Sequence, residues 1–138
     1  MSEATLTAPL RCIVVTPEET VLDATADFIA LPLFDGELGV GRGHSPLIGR
    51  LGYGELRLRT GKETVSYYVD GGFVQVVDNV VSVLTNRSLK DSAVDTVAAS
   101  EQLAEALTRK VGGEEALAIR DRLVSQSRAQ LRVGMKAK

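Results

Sequence analysis

His44 is the single histidine of the chain, and a metal site or a Ser-His-Asp arrangement would have to be built around it. It stands in a Gly-Pro turn, Gly43-His44-Ser45-Pro46, with no second histidine to complete a ligand set, so a structural or partner-contact role is expected. Asp35 and Glu37 resemble an acid pair, but acids beside a turn are usually solvated. The glycines from Gly36 to Gly43 are not a phosphate loop, because no Gly-Lys-Ser/Thr follows and no helix begins there. Cys12, the only cysteine, excludes an internal disulfide and a multi-thiolate metal centre. It lies in an apolar strand pattern and reads as a small buried hydrophobe. The more informative chemistry is charge. From Arg120 onward, Arg120, Arg122, Arg128, Arg132, Lys136 and Lys138 face Asp121 alone, a local excess of five positive charges (six minus one). Such a segment is either a solvated helix face with cations near its C-terminus or an arm that docks on an acidic partner.

The elements that carry these residues follow from hydrophobic period. Leu10 to Val15 is apolar and β-branched between Pro9 and Pro17, which predicts a strand. Thr20 to Thr25 and Phe28 to Phe34 predict two more, with Pro32 suggesting an edge or a bulge. Asp35 to Leu51 reads as a compact series of turns. Its glycines permit positive φ, and Leu38, Val40, Leu47, Ile48 and Leu51 serve as anchors. Glu55 to Arg59 alternates, with Leu56 and Leu58 on one side, and Thr60-Gly61-Lys62 turns the chain. Val65 to Val69 alternates again, and Gly71-Gly72 looks like a break. Phe73 to Val77 and Val80 to Thr85 flank Asp78-Asn79, a two-residue hairpin turn. About ten short strands forming an all-β sandwich are expected over residues 1–90.

The period changes near Asp91. Val94, Val97, Ala98, Leu103, Leu107 and Val111 fit a helix with Asp95 as N-cap. Gly112-Gly113 is expected to end it and to act as a hinge. Glu114 and Glu115 open a second helix, where Leu117, Val124 and Leu131 recur every seven residues. Residues 91–138 therefore predict an antiparallel two-helix hairpin with alanines that allow close approach. Val, Leu, Ile and Phe make up 29 of the 81 residues from Leu10 to Lys90 but 10 of the 39 from Asp95 to Val133. On that count the sandwich can stand alone, and the hairpin needs a surface to dock on.

Composition adds bounds. A net charge of −2 gives no global attraction to nucleic acid or anionic lipid, and 44% apolar residues is ordinary for a soluble protein. No apolar run approaches the roughly 18 residues of a membrane span, so no direct membrane insertion is expected. Met1 to Ala8 reads as a tail without signal-peptide character.

Gly36-Glu37-Leu38-Gly39-Val40 followed by Gly43-His44-Ser45-Pro46-Leu47 resembles the signature of the epsilon subunit of bacterial F-type ATP synthases, called delta in mitochondria. The chain departs from the usual form at Arg42, where proline is common, and at Ser45, where alanine is common. The resemblance continues through Gly54-Glu55-Leu56-Arg57, Asp70-Gly71-Gly72-Phe73-Val74-Gln75-Val76, Asn79-Val80-Val81-Ser82-Val83-Leu84 and Ala129-Gln130-Leu131-Arg132-Val133. It implies a non-catalytic subunit of the central stalk, part of the rotor. Its partners would be the gamma subunit, the c subunits of the membrane ring and the alpha and beta catalytic subunits, with no nucleic acid. The complex would couple H⁺ or Na⁺ flow to ATP synthesis, with this chain peripheral on the cytoplasmic face of the bacterial plasma membrane.

By the same resemblance, Glu37, Arg42, Gly43, His44, Ser45 and Pro46 are candidates for rotor contact. Arg120, Arg122, Arg128 and Arg132 are candidates for contact with the catalytic head, where the hairpin would inhibit ATP hydrolysis. Some epsilon subunits bind ATP through Ile/Leu-Asp-x-x-Arg-Ala on the first helix. Here Val94-Asp95-Thr96-Val97-Ala98-Ala99 keeps Asp95 but has Ala98 in place of the arginine that would grip phosphate. No cofactor is therefore expected, and ATP would bind weakly at most. The alternatives are a small β-sandwich enzyme or small-ligand-binding protein and a stand-alone sandwich adaptor with a dimerising hairpin.

Overall fold

The computed structural model describes residues 8–137. The tail expected over Met1 to Ala8 lies, apart from Ala8, outside the described residues. Eight strands and two helices follow in order. The strands are β1 (Leu10–Val15), β2 (Thr20–Ala26), β3 (Phe28–Leu33), β4 (Gly36–Val40), β5 (Leu47–Thr60), β6 (Glu63–Val77), β7 (Val80–Leu84) and β8 (Ser88–Lys90). A 3-10 turn (Asp91–Ala93) leads to α1 (Thr96–Thr108) and α2 (Glu114–Lys136).

The strands form one hydrogen-bonded sheet in the order β2-β1-β7-β6-β5-β3-β4, with β8 also paired to β6. The β1–β7 pair is parallel and the other pairs are antiparallel. The sheet folds over itself, so that β2 contacts β5 although they are far apart in the pairing order. Alternation explains what fills the space between. Leu10, Cys12 and Val14 of β1, Leu56 and Leu58 of β5, Val74 and Val76 of β6, and Val81 and Val83 of β7 all point into one core. Each such side chain contributes roughly 1.5–3 kcal/mol on burial.

Three expectations are corrected. Among the described residues there are eight strands rather than about ten, because β5 and β6 run for 14 and 15 residues through glycines that read as breaks. Gly71 and Gly72 have φ of 70° and 111°, yet β6 continues. Its first half pairs with β8 and its second with β7, so these glycines mark where the strand changes partner. A Cβ on Gly72 would sit 1.9 Å from the Leu84 carbonyl oxygen, an approach open to glycine alone. Second, most of the expected turn series from Asp35 to Leu51 is strand, and the connection itself is Gly41 to Pro46.

Third, Gly112-Gly113 does not end the first helix. α1 stops at Thr108, and Arg109 is already extended at ψ 135°. The residues from Arg109 to Gly112 are exposed and bury nothing that would extend the helix. Gly113 instead caps the start of α2 at φ 98°. The heptad stripe on α2 is also not its buried face. Leu117 is 43% exposed, whereas Ser127, Ala129, Val133 and Gly134 are buried.

α2 packs along β5 and β6. Tyr68, Val94, Ala129 and Val133 form a second small core, edged by Tyr53 and Leu89. Gly134 lets α2 come close to the start of α1: a Cβ there would lie 2.5 Å from Thr96 Cγ2.

Candidate functional site

The connection Gly41–Pro46 is held in its first half, at Arg42 and Gly43. Arg42 Nη2 pairs with Asp27 Oδ1 at 2.9 Å, and Asp27 Oδ2 accepts from the Gly61 amide at 2.8 Å. The loop is thereby tied to the β5–β6 turn. Gly43 is buried with φ 77°, and its amide donates to Asn79 Oδ1 at 2.7 Å. The His44 amide donates to the Gly41 carbonyl at 3.3 Å, and His44 Nδ1 lies 2.7 Å from the Ser45 carbonyl. That oxygen only accepts, so Nδ1 carries the proton in this contact. Ser45 and Pro46 are exposed, and Ile48 just beyond is 75% exposed. The result is a braced loop presenting a polar and apolar rim. No group of His, Cys, Asp or Glu residues among the described residues could hold a metal ion.

Glu37 does not belong to this loop. It pairs across from Pro32 on β3 and forms an ion pair with Arg57 of β5. Arg57 Nη1 reaches Glu55 Oε1 at 3.1 Å, and Lys136 Nζ of α2 reaches the same oxygen at 3.2 Å. A charge chain, Glu37-Arg57-Glu55-Lys136, therefore links β4, β5 and the end of α2. Burial pushes the Glu55 carboxyl up, but hydrogen bonds from Arg57 and Lys136 and the Lys136 charge outweigh it and hold the group below its ordinary value. The hydrogen bond to Glu55 raises the Arg57 guanidinium further, against a smaller effect of burial.

The second contact between helix and sheet centres on Asp70, which is 9% exposed. Its Oδ1 accepts from the Tyr68 hydroxyl at 2.7 Å and from Gln126 Nε2 at 3.0 Å. The Asp70 amide donates to Thr85 Oγ1 at 2.9 Å. Burial, and then the acceptor Asp70, push the Tyr68 phenol well above the ordinary range, so it stays a donor.

The four candidate arginines do not form one patch. At about 100° per residue, Arg120, Arg128 and Arg132 fall within roughly 120° of arc, and Arg122 lies outside it. Arg128 and Arg132 line a cleft against Leu33, Phe34 and Tyr53. Arg132 also borders the Glu37-Arg57-Lys136 cleft. None of the four is in an ion pair among the described residues, and the Arg120 Nε is buried without a partner.

Asp95 accepts from the Ala98 amide at 3.0 Å, which makes it the N-cap of α1 as its spacing suggested. Gly113 uses a positive φ, whereas a Cβ on Gly112 would meet nothing within 4 Å. Cys12 is buried at the core, and desolvation pushes its thiol up to about 12, as expected for an inert residue. Asp27, Tyr68, Asp70, Asn79 and Gln126 are connecting residues that sequence reading missed. In the sequence Asp70 and Asn79 stand out as a neighbour of Gly71-Gly72, as part of a turn and as members of the family motifs, none of which shows what their side chains connect.

The family model for the ATP synthase delta/epsilon chain β-sandwich domain matches residues 9–91. The ATP synthase epsilon chain of Rhodopirellula baltica is 54% identical over 123 residues, covering 89% of this chain and 96% of that one. A Synechococcus epsilon chain is 40% identical over 93 residues, 67% of this chain and 68% of the relative. Among solved structures, the OSCP/F1/c-ring part of Euglena gracilis mitochondrial ATP synthase gives a TM-score of 0.82 at 20% identity, covering 99% of this chain and 85% of that chain. The central stalk and c-ring of the Tetrahymena thermophila enzyme gives 0.71 at 14% identity, over 91% and 96%. At those identities the two structures speak for the fold alone.

Proposed function

The chain belongs to the delta/epsilon family of ATP synthase subunits, and on that premise we propose how its parts serve the complex. It is a non-catalytic member of the F-type ATP synthase, and its place is the central stalk. Residues 1–90 seat on the gamma subunit and the c-ring and transmit rotation. The loop Arg42-Gly43-His44-Ser45-Pro46 is the rotor contact, because it is exposed at its rim yet braced at Asp27 and Asn79. A torque-bearing part must be stiff, and a close-packed sandwich meets that need. Glu37 acts elsewhere: its ion pair with Arg57 makes it part of the surface that receives α2. No helix among the described residues is long and apolar enough to cross a membrane. Attachment at the cytoplasmic face of the bacterial membrane therefore runs through the ring and stalk.

Residues 91–138 regulate the catalytic head. Among its contacts the docked hairpin has a small apolar cluster, hydrogen bonds to Asp70 and Tyr68 and an ion pair in which the Lys136 side chain is 65% exposed. Exposed pairs of that kind contribute about 0–1 kcal/mol. Contacts of this kind can be exchanged for others, with Gly112-Gly113 as hinge and Arg120, Arg122, Arg128 and Arg132 facing carboxylates of the alpha and beta subunits. The observation that carries the family role is the 54% identity spanning nearly the whole of an epsilon chain. The test is co-purification: tagged chain should recover gamma, c, alpha and beta subunits together, and recovery of none of them would refute the assignment to the stalk.

A further inference from the structure

The geometry points to Asn79 as the positioning residue that holds the rotor-contact loop in its working shape, an inference that rests on the reading of Arg42–Pro46 given above. Asn79 is 36 residues from Gly43 in sequence, and its Oδ1 accepts from the Gly43 amide at 2.7 Å. It is 4% exposed, so water does not compete freely for that bond. Its Nδ2 donates to the Ala8 carbonyl at 3.4 Å, and its own carbonyl accepts from the Arg11 amide at 2.8 Å. One residue thus ties the loop to the β6–β7 turn and to the entry of β1.

The backbone supports an assignment by side chain rather than by turn. Asp78 and Asn79 have φ of 48° and 65°, the paired left-handed geometry of a type I′ turn. Glycine at the second position would satisfy that turn at least as well. Asparagine tolerates the left-handed region and also brings an acceptor to the buried Gly43 amide. The second anchor, Arg42 to Asp27, is exposed on both sides and holds the loop less firmly. Asn79 is therefore the fixed post against which Gly43 and His44 are set.

Asn79→Gly keeps the turn and the Arg11 bond while deleting the acceptor. Asn79→Asp keeps an acceptor at that position, loses the amide donor and adds a carboxylate charge. In the full-length chain, hydrogen exchange at the Gly43 amide should quicken about tenfold in Asn79→Gly, the change expected for one buried hydrogen bond. Its melting temperature should stay within a few degrees of the parent, while recovery of gamma and ring subunits by the tagged chain falls. Asn79→Asp should restore both. His44→Ala is the control for the contact itself. Unchanged exchange in Asn79→Gly overturns the positioning role. Faster exchange with full rotor recovery, while His44→Ala lowers recovery, also overturns it, because the loop would then contact the rotor without needing Asn79. If neither Asn79→Gly nor His44→Ala lowers recovery, the rotor-contact reading itself fails and the role of Asn79 falls with it.

Discussion

The side-chain amide of Gln126 on α2 donates to the Asp70 carboxylate on β6 at 3.0 Å, across 56 residues of sequence. This bond is the polar centre of the surface where the hairpin meets the sandwich. The Tyr68 hydroxyl shares the same oxygen, so the carboxylate is oriented before α2 arrives.

Removing the donor should therefore loosen α2 without unfolding the sheet. Gln126→Ala forfeits a hydrogen bond to a charged group, about 1.5–3 kcal/mol. Exchange at the Ala129 and Val133 amides should quicken by tenfold or more, with Val74 and Val83 unchanged. Asp70→Asn, which can still offer an oxygen, should have a smaller effect. Equal protection of α2 in wild type and Gln126→Ala would show that the bond contributes nothing to docking.

Gly134 sets how closely α2 approaches α1. A Cβ there would lie 2.5 Å from Thr96 Cγ2 and 3.2 Å from Val94 Cγ1. Gly134→Ala should cost about 1–3 kcal/mol of hairpin stability by overpacking. Adding Thr96→Ser, which removes the nearest methyl and keeps the hydroxyl, should recover part of it. The readout is a chemical melt followed by helical circular dichroism, and additive losses in the double variant would contradict the steric account.

What sequence shows and what it hides follow from the kind of interaction. β1, the Asp78-Asn79 turn and the Asp95 cap were legible because each rests on local chemistry: alternation, a left-handed pair and a side-chain acceptor at fixed spacing. The path of β6 through Gly71-Gly72 was not, because a glycine needed for close approach to Leu84 looks the same as one that ends a strand. The docking face of α2 was hidden for a related reason. Its buried residues are Ser127, Ala129, Val133 and Gly134, of which Val133 alone is a large apolar side chain, while Leu117 lies further out. The family resemblance groups Glu37 with His44 as candidates for rotor contact, yet the strand carries Glu37 to Arg57.

Glu55, which burial pushes up but hydrogen bonds from Arg57 and Lys136 hold below its ordinary value, gives the folded chain a pH dependence of defined sign. The carboxyl is held below its ordinary value of 4.5 in the folded chain, so the unfolded chain binds its proton first as pH falls. The stabilisation is present above that value and is lost as pH drops through the lowered one. Melting temperature measured from pH 7 to pH 3 should fall more steeply for wild type than for Glu55→Gln below about pH 4.5. Parallel curves would remove Glu55 from the account.

Charge on α2 should act on the catalytic head rather than on the fold. Arg122 is exposed and in no ion pair among the described residues, so Arg122→Glu should leave the melt of the isolated chain nearly unchanged. In the assembled enzyme it should raise ATP hydrolysis, and the difference should shrink in high salt as exposed pairs are screened over roughly 8–10 Å. Deleting Asp91 to Lys138 should have the same effect with assembly intact. Hydrolysis unchanged by both would mean that the hairpin is not a brake.

The central claim is that the sandwich transmits rotation between the ring and the head. The direct measurement is the ratio of ions pumped to ATP hydrolysed in vesicles carrying the complex, assembled with and without this chain. With it, hydrolysis should build a stable ion gradient; without it, hydrolysis should continue while the gradient collapses. An undiminished ratio in the absence of the chain would contradict the account.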